Sequence, residues 1–397
     1  MWLDALQQGA EEFVRLRRDI HQHPELGLAE QRTSAIVADR LRDWGYNVHT
    51  GLAGTGVVGQ LRRGTGSKRL GLRADMDALP IQESNSFAHA SCHSGVMHAC
   101  GHDGHTAILL AAAKHIAVKV DFSGTLNLIF QPAEEHPGGA KIMIEQGLFD
   151  LFPCDAVFAL HNMPGYPAGH LVFREGAAMA SSDDVSISLT GKGGHGAMPH
   201  LANDTVVAAS AIVMALQCIV SRNVDPQQTA VVTVGALHAG QANNVIPASA
   251  SLALSVRSLS TEVRDLLEQR IRAVVMAQAE SFGVEAQIDY HRDYPVLVNT
   301  SFETNLARSV GTALLGPDKV TYQGPALTGS EDFAFMLTQC PGSYLLIGNG
   351  NGNGNGTGEG ACMVHNPGYD FNDSILPTGA AYWCALVHRY LQDEPSP

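Results

Sequence analysis

The chain has 397 residues, 45% of them hydrophobic, which allows two domains with cores of ordinary size. Its 39 acidic residues outnumber 25 basic ones and give a formal net charge of −14, which argues against the Lys/Arg-rich surface needed to neutralise nucleic-acid phosphates. There is no unbroken run of about 18 apolar residues, so no membrane span is expected, and the seven scattered cysteines read as reduced thiols of a cytoplasmic protein, not as a disulfide framework.

The first segment, "MWLDALQQGAEEFVRLRRDIHQHP", lacks the apolar stretch of a secretory signal and reads as an amphipathic helix that begins the fold. Residues 29–44 read as a second helix. "GTGVVGQL" and "RLGLRADM" read as short apolar strands, and 104–119, "GHTAILLAAAKHIAVK", as an Ala/Leu-rich helix. "GTLNLIFQ" and "CDAVFALH" are further buried strands, ending at Pro132 and His161. Strands alternating with helices predict an α/β fold whose mostly parallel sheet is covered by helices. In such sheets a site forms at the carboxyl ends of the strands. Asp75, Asp77, Glu134, Glu135 and His161 fall at those ends.

The texture changes near residue 183. "DDVSISLTGKGG" alternates like a half-exposed strand, a helix follows at 203–221, and "QQTAVVTVGALHAG" and "ASASLALSVRSL" read as long strands. A helix at 261–282 and the strand "VEAQIDYH" complete an α+β domain. The expected organisation is therefore a catalytic domain of residues 1–182 and 296–397, interrupted by a lid or dimerisation domain at 183–295. An edge strand of that insert would expose backbone groups unless something covers it. Pairing with a second copy would do so, which predicts a homodimer or a homotetramer built from dimers. The Gly/Asn-rich stretch 348–360 reads as a flexible surface loop, with a functional lid as the alternative.

The segment "HACGHDGHTA" concentrates possible metal ligands. Cys100 and His102 lie on one tight turn before a helix, with Gly101 and Gly104 allowing the bend, and thiolate with imidazole suits zinc and related ions. The bland alternative is a polar turn with one buried thiol. A zincin-like pairing of His98 with His102 is rejected, because no glutamate follows His98. "FQPAEEHPGGA" adds two adjacent carboxylates. Along a strand they would point to opposite faces, but Pro132 and the Pro137-Gly138-Gly139 turn let the chain bend, so both could reach one site. Such a pair can divide labour between metal binding and proton transfer; a solvated acidic turn is the alternative. His161 and His365 could each be a satisfied structural histidine, yet several such residues at successive strand ends favour a metal centre. In the insert, Arg257 interrupts an apolar strand, where it could grip a substrate carboxylate or simply face water. Ser330 is placed to cap a helix, with Glu331 and Asp332 in its first turn.

The segments "RRDIHQHPELGLAE", "GLRADMDALPIQE", "MHACGHDGHTAILL", "QPAEE", "ALHN", "GKGGHGAMPH", "NNVIPASA", "GSEDFA" and "VHNPGYDFND" span nearly the whole chain. In that order they resemble the metal-dependent amidohydrolases and peptidases that include aminoacylase and glutamate carboxypeptidase. The closest resemblance is to the hippurate hydrolase branch, which also holds plant auxin-conjugate hydrolases and N-acetyl-diaminopimelate deacetylase. The resemblance implies hydrolysis of N-acyl amino acids by two divalent ions (Zn, Mn, Co or Ni) per subunit. It implies Cys100, His102, Glu135, His161 and His365 as their ligands, Glu134 as the general base and acid, and Asp77 as a carboxylate that orients a ligand histidine. It also implies that His195 is an extra donor to the developing oxyanion, often from a neighbouring subunit, and that Asn244 binds substrate. Where the wider family has His-x-Asp, this chain reads Asp75-Met76-Asp77, and His136 stands where a small residue is more usual. A deacetylase or dipeptidase with the same metals, or a non-catalytic amino-acid-binding protein, are the competing readings. The intact Glu134-Glu135 pair weighs against the last, because binding alone needs the ligand but not the base.

Overall fold

The computed structural model describes residues 2–350 and 362–392. Two compact units emerge: Met1–Gly176 with Val298–Pro325 and Asp332–Pro397, and Ala177–Leu297 with Ala326–Glu331. The insert expected at 183–295 falls inside the second unit. The short segment 326–331, read on sequence with the catalytic domain, belongs to the second unit as well.

In the first unit the strands are β1 (Asn47–Leu52), β2 (Gly56–Arg63), β3 (Arg69–Asp75), β4 (Gly124–Gln131), β5 (Ala156–Pro164) and β6 (Leu171–Val172), with two more at Val320–Thr321 and Gly342–Gly350. They form one eight-stranded sheet in the order β1, β2, β4, β3, β5, Gly342–Gly350, β6, Val320–Thr321. β4, β3, β5 and Gly342–Gly350 run parallel, whereas the β1–β2 hairpin and the β2–β4 pair are antiparallel. The parallel centre is buried on both faces, which is why β3 from Leu70 to Asp75 and β4 from Leu126 to Gln131 show no exposed residue. The Ala/Leu-rich helix begins at His102 and runs to Lys119. Apolar nearly all round, it is buried beside the helices Ala10–Gln22 and Leu376–Tyr390. Because Gly348–Gly350 finish a strand, the expected loop starts later than 348; its remaining residues, 351–360, lie outside the described residues.

The second unit is an antiparallel sheet in the order Ala230–Ala239, Ser249–Ser258, Ser181–Thr190, Glu285–Arg292. Val185, Ile187, Leu189, Leu252, Leu254 and Val256 face its core, alternating with the exposed Asp184, Ser186, Ser188 and Thr190. The helices Thr205–Arg222 and Thr261–Ser281 cover that apolar face. Each has a side-chain cap, Asp204 accepting from the Val206 and Val207 amides and Ser260 from that of Val263. By length and composition Thr205–Arg222 is apolar enough to cross a membrane. Its Ala208, Ile212, Leu216 and Ile219 are buried in the unit's core, and 33% of the helix is buried. All seven cysteines are free.

Candidate metal centre and catalytic site

The parallel register places Asp75 opposite Gln131 and Arg73 opposite Ala159, so β3, β4 and β5 deliver their carboxyl ends to one edge of the sheet. Cys100 and His102 come from the turn into the helix His102–Lys119. Gly101 there has φ +92°, and a Cβ on it would lie 2.2 Å from Asn162 Nδ2 and 2.5 Å from the Tyr369 hydroxyl, so both conformation and space demand glycine. Gly104 does not make the bend, as had been expected. It lies within the helix, where a Cβ would be 2.2 Å from the Phe371 ring; its role is close packing.

The glutamate pair turns inward because Ala133 adopts φ +54°. Its N–H donates to Glu30 Oε1 at 2.9 Å, and its carbonyl accepts from the Gly138 and Gly139 amides. Among the groups of ligand atoms that lie within 4.8 Å of one another are Cys100, His102 and His161; Cys100, Glu135 and His365; and His102, Glu134 and Glu135. Sharing of Cys100, His102 and Glu135 between groups is what two adjacent ions would need.

The imidazoles are oriented from behind. His102 Nδ1 lies 3.2 Å from Asp77 Oδ1, and Asp77 Oδ2 accepts the Glu135 N–H at 3.0 Å. His161 Nδ1 donates to the Asn162 carbonyl at 2.6 Å. Each ring therefore keeps Nε2 for a ligand. Cys100 Sγ is 3.3 Å from His161 Nε2, and His365 Nε2 is 3.1 Å from Glu135 Oε1. His102 Nε2 is buried with no hydrogen bond, and Glu135 Oε1 has only the ion-pair contact to His365. Leaving such atoms unsatisfied is costly, and a cation among them removes the cost. His365 sits at φ +65° with its N–H held by the Ala99 carbonyl at 2.7 Å, a strained conformation of the kind that functional positions retain. Asp75 is committed elsewhere: Arg73 donates to Oδ2 at 2.7 Å and His105 Nδ1 lies 2.6 Å from Oδ1.

Electrostatics fit a cation at this cluster. Burial raises the Cys100 thiol well above its ordinary range, and Glu135, Glu134 and Asp75 raise it further, so only a nearby cation would make it a thiolate. Burial opposes charge on His102, but Asp75, Asp77 and Glu135 outweigh it and push its pKa up to about 10. Burial, with His105 and His102 nearby, holds His161 neutral.

His195, Asn244 and Arg257 belong to the second unit. His195 pairs with Val245 across two short strands, and the Asn244 carbonyl accepts the Gly196 N–H at 2.8 Å, so the two motifs do meet. His195 is exposed, and its Nδ1 accepts the Ala197 N–H at 3.0 Å; the neutral ring then carries its proton on Nε2. Arg257 Nη1 contacts the Thr328 carbonyl at 3.3 Å and Ser330 Oγ at 3.4 Å. Ser330 is therefore not the helix cap predicted for it. The helix runs Phe333–Gln339 and has no side-chain cap, and Asp332 instead takes bonds from Arg73, Gln131 and the Ala140 N–H.

Sequence reasoning missed the supports behind the ligands. His105 Nε2 accepts the Asn162 N–H at 2.9 Å, Asn162 Nδ2 donates to the Cys100 carbonyl at 2.6 Å, and the Tyr369 hydroxyl donates to Asn162 Oδ1 at 2.6 Å. All three lie inside motifs quoted above, which is the one signal that could have found them.

Residues 71–389 match the model of peptidase family M20/M25/M40. The chain is 44% identical to hippurate hydrolase of Campylobacter jejuni over 96% of its length and 97% of that protein. It is 40% identical to N-acetyldiaminopimelate deacetylase of Anoxybacillus flavithermus, over 85% of its length and 88% of that protein. Among solved structures, the Bacillus subtilis YXEP protein, described as a dinuclear metal binding peptidase from M20 family, superposes with a TM-score of 0.82 at 30% identity, covering 97% of this chain and 99% of the other.

Proposed function

The chain belongs to peptidase family M20/M25/M40, and we propose that it is a metal-dependent amidohydrolase that cleaves the amide bond of small N-acyl amino acids of the hippurate type. The observation that carries this reading is the pair Glu134-Glu135, folded back on His102 so that one carboxylate can serve as a ligand and its neighbour stays available for proton transfer. Cys100, His102, Glu135, His161 and His365 would hold two divalent ions; Zn, Co or Ni suit the thiolate and imidazoles, and the carboxylates also admit Mn. When bound, such ions supply Lewis acidity and bring the pKa of water toward ~7.

Glu134 takes a proton from the water that attacks the amide carbonyl. It returns that proton to the nitrogen as the C–N bond breaks, releasing the carboxylic acid and the amino acid. Asp77 keeps His102 Nδ1 protonated and fixes the Glu135 backbone, so the ligands need not reorganise. By resemblance, His195 would donate Nε2–H to the oxygen that becomes negative, and the tautomer set by the Ala197 N–H suits that role. Asn244 would bind substrate beside it. Arg257 would take the substrate carboxylate only by exchanging its contacts to Thr328 and Ser330.

We also propose that the protein is a homodimer, or a tetramer of dimers, joined through the second unit. The 40% identity to an N-acetyldiaminopimelate deacetylase supports deacetylation as the second reading. Hydrolysis of benzoylglycine, N-acetyl amino acids, N-acetyldiaminopimelate and a dipeptide, measured before and after chelation and metal return, tests both. A metal-loaded protein that cleaves none of them would refute the reading.

A further inference from the structure

A second cluster of soft ligands lies on the surface of the first unit and plays no part in the reaction above. His23, Cys92 and His93 place one ligand atom each within 4.8 Å of one another. Cys92 Sγ is 3.1 Å from His23 Nδ1, and the rings of His23 and His93 have centroids 5.7 Å apart at 68°. A tetrahedral zinc ion with bonds near ~2.3 Å to sulfur and ~2.05 Å to nitrogen spaces S and N by about 3.5 Å and two imidazole centroids by about 5 Å. The cluster is thus within about 1 Å of a ligating arrangement in the two spacings compared.

The backbone beneath it is already fixed. The Cys92 N–H donates to the Gln22 carbonyl at 3.0 Å, Gln22 Nε2 donates to the Ala88 carbonyl at 3.3 Å, and the Ser91 N–H donates to Glu83 Oε2 at 2.6 Å. His23 follows the last residue of the helix Ala10–Gln22, and the negative end of a helix favours a cation. Thiolate with two imidazoles selects Zn(II) or a similar ion over Mg(II) or Ca(II).

We propose that His23, Cys92 and His93 form a third, non-catalytic site for a soft divalent transition ion, with solvent completing the coordination. Binding ties the segment 82–97, which leads into Met97, His98 and the ligand turn, to the end of the first long helix, and releases the Cys92 thiol proton.

Iodoacetamide footprinting of the full-length, metal-loaded protein tests this directly, because Cys92 and Cys218 are the exposed cysteines and Cys218 serves as the internal control. Added Zn(II) should slow alkylation of Cys92 by about tenfold or more and leave Cys218 unchanged, while Mg(II) should protect neither. His93→Ala, at an exposed position, should abolish the protection without changing hydrolysis, and His23→Ala should do the same. Equal alkylation of Cys92 with and without 100-micromolar-scale zinc, or protection that survives both substitutions, would overturn the proposal. Neither result touches the hydrolytic reading, which depends on other residues.

Discussion

Glu134 and Glu135 are neighbours in sequence, yet their loss should have different consequences. Glu134→Gln removes the proton acceptor but no ligand, so kcat should fall by about 10³-fold or more while elemental analysis still finds the metals of the wild type. Glu135→Gln should lose metal as well, since Glu135 shares ligand groups with Cys100, His102 and His365. Near-normal turnover in Glu134→Gln would mean that the base is another group. Cys100→Ser should weaken metal retention, because a hydroxyl replaces a thiolate on a soft ion; unchanged affinity in a competition titration with a chromophoric chelator would remove Cys100 from the ligand set. Metal affinity should also fall as pH falls, since His102 and the buried Cys100 thiol must both give up a proton to bind.

Between elements, the helices Ala10–Gln22 and His102–Lys119 are pinned by buried charge. His21 Nδ1 is 2.9 Å from Asp103 Oδ2, and Arg17 reaches Asp103, Asp370 and Asp373. Burial opposes charge on His21, but Asp103 outweighs it and, with Glu83, pushes the pKa up to about 9. Burial likewise opposes ionisation of Asp103, and His21, His98 and Arg17 overcome it and hold its pKa low. The signs follow. His21 has a folded pKa above its unfolded value near ~6.5, so its contribution is full below ~6.5 and is lost as pH rises through about 9. That of Asp103 is present above ~4 and is lost on acidification. The pair should therefore stabilise most between ~4 and ~6.5. Asp103→Asn should cost roughly 3–5 kcal/mol by stranding buried charge, and the deficit of His21→Gln in urea unfolding should shrink between pH 6.5 and 9.5. A deficit independent of pH would refute the linkage.

This network also shows what the sequence could and could not disclose. Cys100 and His102, or Glu134 and Glu135, are close along the chain, so local spacing pointed to a ligand turn and a carboxylate pair. Arg17 with Asp373, and Asp332 with Gln131, meet only after folding, and no periodicity encodes them. Ser330 was misread because the helix begins only at Phe333, with Asp332 as its flanking residue, so Ser330 lies two residues too early to cap it and its hydroxyl accepts from Arg257 instead.

For the whole molecule, assembly through the second unit would decide which chain's His195 reaches a catalytic centre. Ala230–Ala239 and Glu285–Arg292 are the edge strands of the second unit's sheet, and each offers a row of backbone groups to a partner. The helix Thr205–Arg222 adds outward apolar residues: Val206 and Val207 are exposed, and Met214 is 70% exposed. A two-fold pairing of like edges would cover both features, so light scattering at working concentration should report a dimer or a multiple of it; a monomer would end the argument. His195→Ala should retain the metals and lower kcat by about 10²-fold, the usual cost of losing one oxyanion donor. Mixing His195→Ala with Glu134→Gln then distinguishes the two arrangements. If each centre borrows His195 from its partner, a heterodimer has one centre carrying both defects and one carrying neither. Full random exchange of equal amounts makes half the dimers hetero, so activity should return to about a quarter of the wild-type level. If His195 serves its own chain, every centre in the heterodimer keeps one defect and nothing returns. Exchange must be proven independently, by mass-tagged subunits for instance, so that an unchanged rate can be read as a cis arrangement.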